Sequence, residues 1–106
     1  MASYPVSVPR KHYRGSKVSL RRKAAEYNSV AQRLEEYVNR KVEEDSDSDC
    51  SRFMYGYIAA DTGLSEETVR TVLFGVDCGH NGLTVWKPGG YERWYRETHG
   101  ENHESV

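Results

Sequence analysis

The residues best able to hold a metal or attack a carbon are four histidines and two cysteines, and their spacing suits neither task. His99 and His103 stand four apart, but Gly100 interrupts the helix that would align them, while Cys78-Gly79-His80 sets one thiol near one imidazole. Structural zinc loops present paired ligands at tight spacing, and a Cys–His nucleophile needs a third group to orient its base. The acidic run from Asp45 to Ser51 lacks the glycine and distal glutamate of a calcium loop. With no phosphate loop, no dinucleotide fingerprint and too little volume for a substrate cleft, the reading is a non-enzyme. No metal, cofactor or catalytic residue is expected.

What remains is the chemistry of hydrogen bonding and anion neutralisation. Ser65, Glu66, Glu67, Thr68, Arg70 and Thr71 crowd into one short stretch. Arg10, Lys11, Arg14, Lys17, Arg21, Arg22 and Lys23 form a basic block with no acid among them. The formal net charge of −1 averages that block against five acids in residues 43–49 and three in 97–106, so only the block itself bears on partners.

The elements that must position these groups can be read around residues 55–73. Ala59 allows close helix approach, Gly63 can take the left-handed conformation that ends a helix, and Leu64 fills the angle of the turn. Ser65 can cap a second helix, with Glu66 and Glu67 at its positive end. Val69, Val72 and Leu73 make the inward stripe and leave Thr68, Arg70 and Thr71 outside. Further on, Asn81-Gly82 between residues 76–78 and 83–87 predicts a two-stranded hairpin pairing Cys78 with Val85 and Asp77 with Trp86, stopped by Pro88.

This pattern resembles the helix-turn-helix of bacterial transcription regulators, and IAADTGLSEETVRTVL is similar to the version in repressors of the lac and purine type. With the hairpin as a wing, the expected fold is mainly α: a winged helix-turn-helix with a long N-terminal helix and a short two-stranded β-hairpin wing. The resemblance implies a sequence-specific binder of double-stranded DNA that regulates transcription; a small regulator without a ligand-binding domain is, by analogy, a phage or mobile-element format, and a dimer is expected from the apolar surface of the long helix. The second helix would enter the major groove with Arg70, Thr71, Glu66 and Glu67 nearest the base edges. His80, Asn81 and Lys87 on the wing and the basic block would hold phosphates. The alternative is a protein–protein interaction module on the same scaffold, favoured by the acidic start of the reading helix.

The chain divides on this reading into a flexible basic arm (1–17), a long amphipathic helix (18–44), an acidic linker (45–51), the winged unit with a short C-terminal helix (52–96) and a disordered tail (97–106). The arm lies along DNA or is simply a solvated tail. In the long helix Leu20, Ala24, Tyr27, Ala31, Leu34 and Val38 form a heptad seam, the expected homodimer interface; a break near Asn28-Ser29 into two packed helices is the competing arrangement. Gly89-Gly90 reads as a flexible joint, and Tyr91, Trp94 and Tyr95 as an aromatic face packed on the wing or long helix. No membrane span or signal core is present, which predicts a cytoplasmic protein with free thiols at Cys50 and Cys78.

Overall fold

The computed structural model describes residues 2–77 and 79–104, with side chains to residue 99. Among the described residues the fold is a mixed α/β arrangement of four helices and one three-stranded sheet. In chain order the elements are β1 (Ala2–Ser3), α1 (Val18–Glu44), β2 (Cys50–Met54), α2 (Tyr55–Thr62), α3 (Glu66–Leu73), β3 (Gly82–Trp86) and α4 (Gly90–Glu104).

α1 is one unbroken helix, without a break at Asn28-Ser29. Its second half supplies the floor of the core, where Ala31, Leu34, Val38 and Val42 are fully buried together with Tyr55, Val69, Leu73 and Val85. Three members of the expected dimer seam, Ala31, Leu34 and Val38, are therefore consumed within the chain. Tyr27 packs at the edge of this core, and only Leu20 and Ala24 stand beyond it. A heptad stripe cannot distinguish a partner helix from the chain's own α3, and here α3 takes the place.

The two helices α2 and α3 form as their residues dictate. Gly63 adopts φ 74°, and its N–H caps the Ala59 carbonyl; the Ser65 side chain accepts from the Thr68 N–H. Val69, Val72 and Leu73 face inward.

The sheet corrects the expected hairpin. Its order is β1-β3-β2, with β1 parallel and β2 antiparallel to β3. Val85 pairs with Ser51 and Trp86 with Cys50, so Trp86 is not opposite Asp77; the Cys78 register lies outside the described residues. Neither Asn81 nor Gly82 has the positive φ that a type I′ turn needs. Gly82 serves another purpose: a Cβ there would collide with the Phe53 carbonyl, so the glycine lets β2 approach. Val76 and Asp77 finish α3 instead, both N–H groups bonding the Leu73 carbonyl. The Asp77 carboxylate then accepts from the Thr84 N–H at 3.0 Å.

The presumed acidic linker is structured as well. Cys50 and Ser51 belong to β2, Ser51 Oγ donates to Asp45 at 2.9 Å, and Asp49 binds Arg93 at 2.8 Å. Gly90 abuts the Asp49 carbonyl with no room for a Cβ, so Gly89-Gly90 is a tight junction and not a flexible joint. The segment expected to be a disordered tail from residue 97 continues α4 to Glu104.

The largest departure is the arm. Ala2, Val6 and Val8 are buried at 7%, 3% and 2% exposure, and the segment runs as a strap along α1. Asn39 receives the Val6 N–H (2.7 Å) and donates to the Val6 carbonyl (2.9 Å). Asn28 does the same for Lys11, at 2.7 and 2.8 Å, and Glu35 accepts from the Val8 N–H at 2.9 Å. Positions 28, 35 and 39 share one helical face. Three polar side chains thus satisfy an extended segment as a neighbouring strand would, which removes the penalty for burying its backbone.

Candidate nucleic-acid interface

α2, which leads into α3, is tied to α1 by two polar contacts. Tyr37 on α1 donates its hydroxyl to Asp61 on α2 at 2.5 Å, and Arg33 donates to the Thr62 carbonyl at the end of α2 at 2.8 Å. Burial, reinforced by the Asp61 bond, pushes the Tyr37 phenol up to about 12 from 10.0. A raised pKa means that the neutral phenol stabilises the fold fully below pH 10 and progressively less as pH rises toward 12. Tyr37→Phe should therefore lower stability by about 1 kcal/mol at neutral pH. The difference from wild type should shrink through that alkaline window, as read by denaturant melts at several pH values.

The outward face of α3 is simpler than expected. Ser65 and Thr68 are occupied: Ser65 Oγ caps the Thr68 N–H and donates to its hydroxyl at 2.7 Å. Glu66 and Arg70 pair with each other at 3.1 Å, both about half exposed, and the Arg70 guanidinium lies 5.9 Å from the Tyr55 ring. An exposed i,i+4 pair of this kind is worth about 0.3–0.5 kcal/mol, so a stronger acceptor can take the arginine from it. Glu67 and Thr71 point to solvent.

The residues assigned to the wing do not form a group. His80 and Asn81 lie by the start of α2, where the Asn81 carbonyl accepts from the Tyr55 N–H. Lys87 lies at the other end of β3, its amine donating to the Asp45 carbonyl.

The basic block is brought to α3 by the strap. Pro9 abuts Gly75, just past the end of α3, and the cations follow from there. Arg10 is neutralised by Glu35 at 3.3 Å, and Lys11 sits 4.2 Å from the Tyr27 ring centroid. Arg21 reaches the Gly15 carbonyl at 3.3 Å. Lys11, His12, Tyr13, Arg14, Arg21, Lys23 and Asn28 line two adjoining grooves between strap and helix, with no carboxylate in either. The first turn of α1 contains no acid, although cations at a helix N-terminus oppose its dipole by about 0.3–1 kcal/mol each.

Two apolar features lie outside this basic surface, the first of which the sequence reading did not single out. Met54 and Tyr57 are 55% and 72% exposed and, with Gly56, Ala60, Glu66 and Asn81, line a groove of about 440 Å³ beside the start of α3. The aromatic face of α4 rests on Trp86 but remains largely open. The chain's similarity to known proteins adds nothing to this geometry: no protein family, curated protein or solved structure matches it. Among the described residues no three His, Cys, Asp or Glu side chains gather as metal ligands, and no helix is long and apolar enough to cross a membrane.

Proposed function

We propose that this chain binds double-stranded DNA through a helix-turn-helix formed by α2 and α3, with β2 and β3 as an attached antiparallel pair in the role of the wing, and acts as a small transcription regulator in the cytoplasm. The observation that carries the reading is the contact of Pro9 with Gly75. From there, past the Arg10–Glu35 pair, the strap carries the exposed Lys11 and Arg14 onward from the helix whose outward face holds Arg70 and Thr71. Phosphate contacts there would fix register, and α3 would read base edges.

Arg70 can leave Glu66 for a guanine edge, and Glu67 can accept from a cytosine amino group. Arg70→Ala should cost about 1–3 kcal/mol on a selected site and relax preference at one base pair, measured by anisotropy on matched and mismatched duplexes. Selection of bound duplexes from a random pool tests the whole reading; recovery of no consensus would reduce it to non-specific binding.

A second reading, docking to a protein through α2 and α3, is favoured by exposed Met54 and Tyr57 and by the acidic turn at Glu66 and Glu67. A gel shift with mixed duplex at two salt concentrations separates the two, because DNA affinity follows counterion release.

A further inference from the structure

The sheet has two edge strands, and the fold treats them differently. β1 is only two residues long, and the strap that continues it has its N–H groups at Val6, Val8 and Lys11 bonded by Asn39, Glu35 and Asn28. β2 is the other edge, with β3 as its one neighbour in the sheet among the described residues. Two bonds fix which residues of β2 turn toward β3: Lys87 N–H to the Asp49 carbonyl and Tyr55 N–H to the Asn81 carbonyl, both 2.9 Å. Bonding residues alternate along an antiparallel strand, so Ser51 and Phe53 face β3 while Cys50, Arg52 and Met54 direct their backbone groups away from it. The Met54 carbonyl turns into α2, of which Met54 is the N-cap. The N–H and C=O of Cys50 and Arg52, and the N–H of Met54, meet no partner among the described residues.

We propose that this edge binds an extended peptide segment of another protein, which adds antiparallel to β2 and carries a carboxylate opposite Arg52. Alternating donors and acceptors at strand spacing are matched by the backbone of another strand. The side chains then choose among strands. Arg52 is exposed and makes no ion pair among the described residues. A second copy joined through the same edge about a two-fold axis at Arg52 would set its own arginine opposite, at about 5.5 Å between Cα atoms. Like charges so placed are unfavourable, whereas a carboxylate there is favourable. Duplex DNA offers phosphates to Arg52 but no row of alternating donors and acceptors to the backbone.

Exposed Met54 ends the edge and also lines the groove of about 440 Å³ with Gly56, Tyr57 and Ala60. Residues two apart on a strand share a face. In antiparallel pairing, an apolar side chain two positions before the carboxylate therefore lies beside Met54 at the mouth of that groove. The pattern recognised is apolar, any residue, acidic. So short a pairing is weak, with a Kd on the order of 100 µM. It uses neither Arg70 nor the basic block, and so stands apart from the DNA reading.

The test uses a capped peptide, Thr-Ile-Thr-Asp-Thr-Val-Thr, whose β-branched residues favour extension and whose Ile, Asp and Val would oppose Met54, Arg52 and Cys50. Titrated into the isotopically labelled full chain, it should shift the NMR amide signals of Cys50, Arg52 and Met54 and slow their hydrogen exchange, saturating with a Kd on the order of 100 µM. N-methylation of the peptide's Asp removes the donor to the Arg52 carbonyl and should weaken binding about tenfold. N-methylation of the Thr after it, whose N–H points away from β2, should leave binding unchanged. Arg52→Glu should weaken the peptide about tenfold and bind a version with lysine in place of aspartate as tightly as wild type binds the original, an outcome that loss of folding cannot produce. Signals of β2 unmoved at about 2 mM peptide, equal affinity of the two methylated peptides, protection of those amides that rises with protein concentration alone, or protection by mixed duplex and not by the peptide would each overturn the proposal. The third result would give the edge to a second copy and the fourth to DNA.

Discussion

Replacing Arg14, Arg22 and Lys23 together with alanine is expected to lower affinity for mixed-sequence duplex about 500-fold at 0.1 M salt and to flatten the slope of log K against log salt by about 2.7. Both numbers come from one quantity, the release of about 0.9 counterion per phosphate neutralised. All three side chains are exposed, and they sit on the strap and the first turns of α1, where the helix dipole adds to their charge. Because α3 is untouched, preference among sequences should survive in the triple variant. Arg70→Ala should behave the other way, losing preference with its slope reduced by no more than about one contact. Anisotropy titrations at four salt concentrations measure both. An unchanged slope in the triple variant would remove the strap and α1 from the interface and leave α3 to stand alone.

Val6→Asp combined with Val8→Asp should destabilise the fold by about 4 kcal/mol and lower the melting temperature by about 15–30 °C. An arm that merely trails in solvent would tolerate both changes. The estimate has two parts. Burying each valine contributes about 1.5–2 kcal/mol, and releasing the strap breaks the backbone bonds to Asn39, Glu35 and Asn28. A carboxylate cannot remain in place of either valine, since burying an unpaired charge is far more unfavourable than undocking the segment. Circular dichroism melts of the double variant and of Ser7→Asp, an exposed position on the same segment, distinguish lost burial from added charge. Equal melting temperatures for wild type and the double variant would show that the strap does not contribute to the core.

How much of this was legible depended on whether a signal was local. Gly63, Ser65 and the stripe of Val69, Val72 and Leu73 act through neighbours within four residues, and α2, the turn and α3 form as those residues imply. The length of α1 was legible for the same reason. Partners were not. Leu34 and Val38 announce an apolar face without naming what covers it, and the same holds for Val85, which pairs with Ser51. Asn81-Gly82 misled because glycine answers two needs, positive φ and close approach, and here the second applies. Alternation of Ala2, Tyr4, Val6 and Val8 was a visible strand signal in the strap, but two prolines obscured it, and its bonding partners are helix side chains that no strand pattern predicts. Of the candidate interface, Arg70, Thr71 and the exposed cations of the block lie on the surface, whereas Ser65, Thr68 and Lys87 each make a hydrogen bond within the fold.

The central position of β3 has a consequence for assembly. One of its neighbours is some thirty residues earlier in the chain, and the other lies more than eighty positions away at Ala2–Ser3. Closing loops of that length is entropically slow, whereas α1 and the pair α2–α3 are stabilised by contacts close in sequence. The helices should therefore gather first, and the first residues of the chain should be the last stitch, fastening a sheet that the rest of the molecule has already framed.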